Sequence, residues 1–178
     1  MIAMRHLSNQ ISRSVALVFG LGLVLLSSSC GIYNFQGGKL APGLETVSVE
    51  LFENQASIIV PTLAQDLTEQ LKDRFISQSN LNLVNYDGDL QFSGSITRYG
   101  VAPVAITGDE TAAQNRLTIT IKVNYECPKY PEDSWSNTFS QFEDFSSSTN
   151  LSDVEDDLVA TITERLTLDV FNKVLSNW

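Results

Sequence analysis

The sequence predicts an α+β fold, with two helices packed on one face of a mostly antiparallel sheet of four to five strands. Three observations predict it. Residues 116–127 alternate apolar and polar side chains without a break, the mark of a strand covered on one face only. Two stretches, beginning near Val60 and Asn150, repeat instead every 3.6 residues and carry one apolar face each. Strand-like segments fill most of the chain between them, an order that places helices on one side of a sheet.

Thr46 to Phe52 opens the fold as a half-buried strand, with Val47, Val49 and Leu51 on one side and Thr46, Ser48 and Glu50 on the other. A helix follows from Val60 to Asn80. Its apolar face is Val60, Leu63, Ala64, Leu67, Leu71, Phe75 and Ile76, and Pro61 suits the first turn. Leu81 to Tyr86 is a short strand, and Asp87-Gly88 a turn. Leu90, Phe92, Gly94 and Ile96 alternate with polar neighbours up to Arg98. The clearest strand is Arg116 to Cys127, with Leu117, Ile119, Ile121, Val123, Tyr125 and Cys127 on one face. Thr118, Thr120, Lys122, Asn124 and Glu126 share the other. Trp135 to Phe142 is a last, aromatic-rich strand of weaker alternation. Asn150 to Trp178 is the closing helix, with Leu158, Ile162, Leu166, Val170 and Val174 as its stripe. Ser152 and Glu155 have capping-box spacing there, and acids crowd the first turn, where the helix dipole favours them. The polar sheet face is left for solvent or a partner.

Charge excludes several functions. The chain of 178 residues has 11 Lys and Arg against 21 Asp and Glu. Arg5 and Arg13 lie in the first 29 residues, which contain no acid, so the remainder carries a net charge of −12. Such a surface repels phosphate backbones and argues against nucleic-acid binding. The one histidine, His6, is also in that leader. Without it, residues 30–178 lack the group needed for Ser-His-Asp or Cys-His catalysis and the commonest zinc ligand.

The leader itself reads as a secretory signal. Arg5 and Arg13 precede the apolar run Val15 to Leu26, whose 12 residues fall short of the roughly 20 that span a bilayer as a helix. Ser27-Ser28-Ser29 and Cys30-Gly31 follow, resembling a bacterial lipoprotein signal in which Cys30 is acylated and becomes the mature N-terminus. An ordinary secretory signal with an incidental cysteine is the alternative. The expected division is a signal over 1–29, a lipidated tether over 30–44 carrying Tyr33 and Phe35, and one α+β domain over 45–178. Several acyl chains make a stable anchor, since each buried methylene contributes about 0.8 kcal/mol and one chain holds only marginally. Cys127 is left unpaired, and its place on an apolar face suits a buried thiol.

Candidate chemistry is sparse. Asp87-Gly88-Asp89 lacks the later ligands of a calcium loop and reads as a turn. Asp153 to Asp157 suits helix capping. Ser146 to Thr149 has neither glycine elbow nor base. No phosphate-cradling loop, metal-ligand spacing or cofactor fingerprint is present, so no enzyme, metal or cofactor is expected. Arg98 and Arg116 bracket residues 99–115. If their strands form a hairpin, the two guanidiniums meet near one sheet end and could hold phosphate or carboxylate bidentately. Two solvated strand-end charges are the plainer alternative.

Cys30-Gly31-Ile32-Tyr33-Asn34-Phe35, followed by Gly37-Gly38 and a first strand running into Phe52-Glu53-Asn54, resembles the LptE-type lipopolysaccharide-assembly lipoproteins, in a form like that of the Bacteroidota. The element order fits along most of residues 30–178. The resemblance implies a non-enzymatic outer-membrane lipoprotein, anchored by its lipid and facing the periplasm. It would sit as plug and assembly partner in the large β-barrel that inserts lipopolysaccharide, with direct lipopolysaccharide contact as a further role. Thr118, Thr120 and Lys122 would then face the partner. Arg98 and Arg116 come from this chain's own charge pattern and are not carried over from the family. A second hypothesis is an envelope lipoprotein that binds a small ligand or another periplasmic protein in a pocket between sheet and helices.

Overall fold

The computed structural model describes residues 40–104 and 113–175. The expected signal, Cys30, the aromatics Tyr33 and Phe35, and the last three residues of the expected closing helix lie outside them. The strands are β1 (Thr46–Val49), β2 (Glu53–Asn54), β3 (Asn82–Leu83), β4 (Leu90–Val104), β5 (Gln114–Glu126) and β6 (Trp135–Ser146). Two helices, α1 (Leu63–Gln78) and α2 (Glu155–Leu175), pack on one face. The order across the sheet is β3-β1-β4-β5-β6, with β2 also alongside β4. β4, β5 and β6 are antiparallel, whereas β1 is parallel to β3 and β4, and β2 is parallel to β4. The sheet is therefore mixed and has six strands, one more than the expected upper limit. The connection through α1 carries the chain back to its starting end, which makes the strands on either side of it parallel.

Between the layers the core is continuous. Leu117, Ile119, Ile121 and Val123 of β5 are fully buried, as are Leu63 and Phe75 of α1 and Ile162, Leu166 and Val170 of α2. Phe75 sits between Phe92 of the sheet and Phe171 of α2, with ring centroids 4.7 and 5.2 Å away. Arg74 of α1 donates to Thr167 Oγ1 and to the Glu164 carbonyl, so the helices are also tied to each other. Cys127 is buried and free, as its alternation implies.

Several elements differ from the sequence reading, each for a local reason. The first strand breaks after Val49. Leu51 turns outward at 66% exposure while Phe52 takes the inward position at 1%. Phe52 gains two things there: its N–H donates to Thr68 Oγ1 of α1, and its ring lies over Gly94. The chain then rejoins the sheet as β2. α1 begins at Leu63 after an N-cap at Thr62, so Pro61 precedes the helix, and Ile76 is exposed. The strand expected over Leu81–Tyr86 shrinks to two residues. α2 starts at Glu155 after a short 3-10 turn over Leu151–Asp153, with no capping box. The Glu155 carboxylate is taken instead by the Tyr99 hydroxyl, which donates to it, and burial beside that carboxylate pushes the phenol pKa up.

Asp87-Gly88-Asp89 is a turn, as expected, and also a fastening. Asp87 has φ 54°, in the left-handed region that Asp tolerates better than most residues. The Asp89 carboxylate accepts from the Glu45 and Thr46 N–H groups at 2.8 and 3.0 Å, and from Lys129 Nζ at 2.7 Å. Lys129 also donates to the Gly43 carbonyl, and the Tyr130 hydroxyl to that of Pro42. Lys129 and the incoming N–H groups hold the Asp89 carboxyl well below the usual carboxylate range, and Asp89 holds Lys129 up. The start of the fold is thus clasped to the connection between β5 and β6.

Two measurements test these points. A Cβ at Gly94 would lie 2.4 Å from the Lys122 carbonyl oxygen and 2.5 Å from the Phe52 ring, so Gly94→Ala should lower stability in urea by roughly 1–3 kcal/mol or more. Asp89→Asn should lower it by about 1–3 kcal/mol at neutral pH, because the acceptor's charge is lost. A depressed carboxylate stabilises the fold above its unfolded pKa of about 4, and that contribution fades as pH falls through and below this value. The gap between wild type and variant should therefore narrow below about pH 4 and close in stronger acid.

Candidate functional site

The open face of the sheet, opposite both helices, has no covering element among the described residues. Its centre is β5, flanked on both sides by long antiparallel neighbours. Opposite residues share a face, so the register assembles it row by row. Thr118 lies between Gly100 and Phe142, Thr120 between Arg98 and Ser140, and Lys122 between Ser95 and Thr138. Asn124 lies between Ser93 and Ser136. The three expected partner-facing residues, Thr118, Thr120 and Lys122, thus stand in one line along the middle of the face.

Several hydroxyls of this face are bonded within it. Thr120 Oγ1 and Ser140 Oγ share a hydrogen bond of 3.0 Å, and Ser136 Oγ donates to Asn124 Oδ1 at 2.6 Å. Thr97 Oγ1 donates across the hairpin to the Thr120 carbonyl. The cations divide into two kinds. Lys122 and Arg98 are exposed and form no ion pair among the described residues. Arg116 is engaged: Nε and Nη2 reach the two oxygens of Asp144 at 2.7 and 2.8 Å, and its Cζ lies 3.7 Å above the centre of the Phe142 ring. That paired carboxylate raises the Arg116 pKa, and the guanidinium lowers that of Asp144.

Arg98 and Arg116 do occupy the two strands of a hairpin, but they do not meet. Arg98 faces Thr120 and Arg116 faces Ala102, four positions apart, or about 13 Å at the usual strand rise. β4 runs on to Val104 rather than ending at Arg98. Its alternation resets because the register shifts between Ile96 and Arg98, a bulge in which Thr97 is the extra residue and Tyr99 becomes the next buried side chain. Cys30 lies outside the described residues.

Sequence reasoning missed Phe142, an aromatic 43% exposed on this otherwise hydroxyl-rich face. It also missed Asp144, which neutralises Arg116 from 28 residues away. The only sequence signal for either was the lapse in alternation along 135–146, where Phe139 and Phe145 point inward and Phe142 outward. Among the described residues, no group of acids, Cys or His is arranged to hold a metal ion, and no helix is long and apolar enough to cross a membrane.

A minor lipoprotein from Acinetobacter baumannii is similar in structure, with 16% identity and a TM-score of 0.50 over 75% of this chain and 94% of that one. A protein from Xanthomonas campestris gives a TM-score of 0.52 at 12% identity, over 79% of this chain and 91% of that one. Identities this low establish a shared fold. No curated protein sequence matches. The family model for lipopolysaccharide-assembly, LptE, matches residues 44–174, from the clasped start of the fold to the last turn of α2. The chain belongs to the LptE family of non-enzymatic lipopolysaccharide-assembly lipoproteins.

Proposed function

We propose that this protein is the plug and assembly partner of an outer-membrane β-barrel that inserts lipopolysaccharide, and that its open sheet face is the surface that meets the barrel. The observation that carries the reading, beside family membership, is that three long strands present one polar, internally bonded face with no helix over it. At about 4.8 Å between strands and 3.3 Å per residue, that face measures roughly 40 by 15 Å. Its extent approaches the order of 800 Å² that one partner contributes to a standard interface. A luminal wall is wet, and hydroxyls with part of their bonding already satisfied lose little on meeting one through water.

Residues 1–29 serve in this reading as a cleaved lipoprotein signal, Cys30 carries the acyl chains, 30–44 is the tether, and 45–178 is the folded domain on the periplasmic side. The clasp made by Asp89, Lys129 and Tyr130 supports it. It fixes the tether to the sheet end where β5 finishes, so the β4–β5 hairpin extends about 40 Å from the point of attachment. Arg98, like Lys122, is free to contact an anionic group of lipopolysaccharide, whereas Arg116 serves the sheet through Asp144 and Phe142.

An affinity pull-down of tagged full-length protein from detergent-solubilised outer membrane tests the barrel. Wild type and Cys30→Ala should both recover one large barrel in stoichiometric amount. A variant carrying Thr118→Arg, Thr120→Arg and Lys122→Glu should lose it while its circular dichroism is unchanged. Full recovery by that variant would move the interface elsewhere. No barrel with wild type would leave the small-ligand hypothesis standing. For the arginines, Arg98→Ala should weaken retention on immobilised lipopolysaccharide without changing the melting temperature. Arg116→Ala should lower the melting temperature, because it leaves Asp144 unpaired and the Phe142 ring uncovered.

A further inference from the structure

The two edges of the sheet are treated differently. β3 closes one edge with only two paired residues, one of the usual ways of making an edge unattractive. β6 closes the other with twelve residues, WSNTFSQFEDFS, containing no proline and no lysine. Its outward backbone groups can be identified. The Arg165 guanidinium donates to the Phe142 carbonyl from outside the sheet. The Thr120 carbonyl points toward β4, where Thr97 reaches it, so Ser140, opposite Thr120, points its own N–H and C=O away from β5. By alternation, Ser136, Thr138, Ser140, Phe142 and Asp144 all do so. Among the described residues only the Phe142 carbonyl finds a partner on that side.

We propose that this edge is the two-fold contact of a homodimer, in which β6 of one copy pairs antiparallel with β6 of a second, centred on Ser140. The sequence of β6 is self-complementary about that residue. Ser140 meets Ser140, Thr138 meets Phe142, and Ser136 meets Asp144 on the open face. Phe139 meets Gln141, Asn137 meets Glu143, and Trp135 meets Phe145 on the helix side. The outward groups from 136 to 144 then bond one another, the N–H of the partner's Thr138 replacing Arg165 at the Phe142 carbonyl. No like charges oppose, both acids face hydrogen-bonding residues, and the ends carry an aromatic pair. Had the acids lain symmetrically about the centre, they would have faced each other and blocked this register.

The helix layer agrees. Arg165, Leu168, Asp169 and Asn172 share one side of α2 by their spacing. Arg165 reaches the outer backbone of β6, and Asp169 accepts from Gln141 on the same strand. Leu168 is therefore on the side of α2 nearest this edge, and it is 39% exposed. In the dimer it packs against its own mate beneath the paired strands. The result is a doubled sheet whose open hydroxyl face runs through both copies. This dimer does not rest on the barrel reading and describes the protein before it meets any other partner.

The test uses full-length protein in detergent, with Ser140→Cys and Ser136→Cys made separately on a Cys30→Ala background, so that no thiol at position 30 can cross-link. Directly opposed residues in a hydrogen-bonded antiparallel pair have Cα atoms about 5.5 Å apart, within disulfide reach. Two copies of residue 136 would lie about 26 Å apart in this register. Mild oxidation should convert Ser140→Cys to a covalent dimer and leave Ser136→Cys monomeric; Cys127 is buried in both. Sedimentation of the unmodified protein should give twice the protomer mass, and Ser140→Lys, which sets two cations against each other, should halve it. Equal cross-linking at 136 and 140 would mean collision rather than pairing and would overturn the proposal. So would a monomer in sedimentation, or a β6 edge found paired with a strand of another protein.

Discussion

One constraint organises the molecule: β5 is apolar on one side only. Every second residue from Leu117 to Val123 is wholly buried, and the residues between them are not. A strand two residues out of phase would still work, but a slip of one would turn the five buried side chains from Leu117 to Tyr125 to water and the six polar ones from Arg116 to Glu126 into the core. At roughly 1.5–3 kcal/mol for each large aliphatic side chain, that slip is comparable with the stability of an entire domain. β5 therefore fixes the register of β4 and β6, the side on which the helices must lie, and the existence of a face that they cannot cover. The open face follows from the core as its unavoidable complement.

The parts of the fold legible in the sequence are those where one periodicity runs long enough to outweigh local effects. β5 and the stripe of α2 are of this kind. The misread parts are those where a single distant contact outweighs the pattern. Leu51 fits the alternation of the first strand, yet Phe52 is buried in its stead because a larger ring fits above Gly94 and its N–H finds Thr68. Glu155 fits a capping box, yet a buried hydroxyl 56 residues away claims its carboxylate. The bulge at Thr97 hides half of β4 because it reverses the parity on which strand recognition depends. Parallel pairing by β1 and β2 is invisible for a further reason, since alternation reports which way side chains point and not which way a neighbouring strand runs.

The candidate site divides along the same line. Thr118, Thr120 and Lys122 were legible because their exposure is set by parity alone. The state of Arg116 was not, since it depends on Asp144 arriving opposite it in the register of β5 with β6. Two arginines equal in the sequence thereby become unlike: one is part of the sheet's own bonding, the other a free charge. On a chain whose residues 30–178 carry a net charge of −12, this matters for any anionic ligand. Overall charge repels it, so contact has to be made where a cation is unpaired, and Arg98 and Lys122, in neighbouring rows of the open face, are such cations.

The chemistry of the open face would suit a protein that stays soluble before it joins the proposed assembly. An apolar face of the same size would bind more strongly but would aggregate first, since exposed patches beyond a few hundred Å² are sticky in water. A densely charged face would stay soluble, but would lose strongly held hydration on docking. Rows of Ser and Thr avoid both. Thr120 with Ser140, and Ser136 with Asn124, satisfy part of their bonding within the face. Their remaining capacity is open to water or to a polar wall with little difference between the two. Affinity then has to come from shape, from the isolated apolar contact at Phe142, and from few cations, which makes the surface selective for a partner that matches it over its whole length rather than at one point.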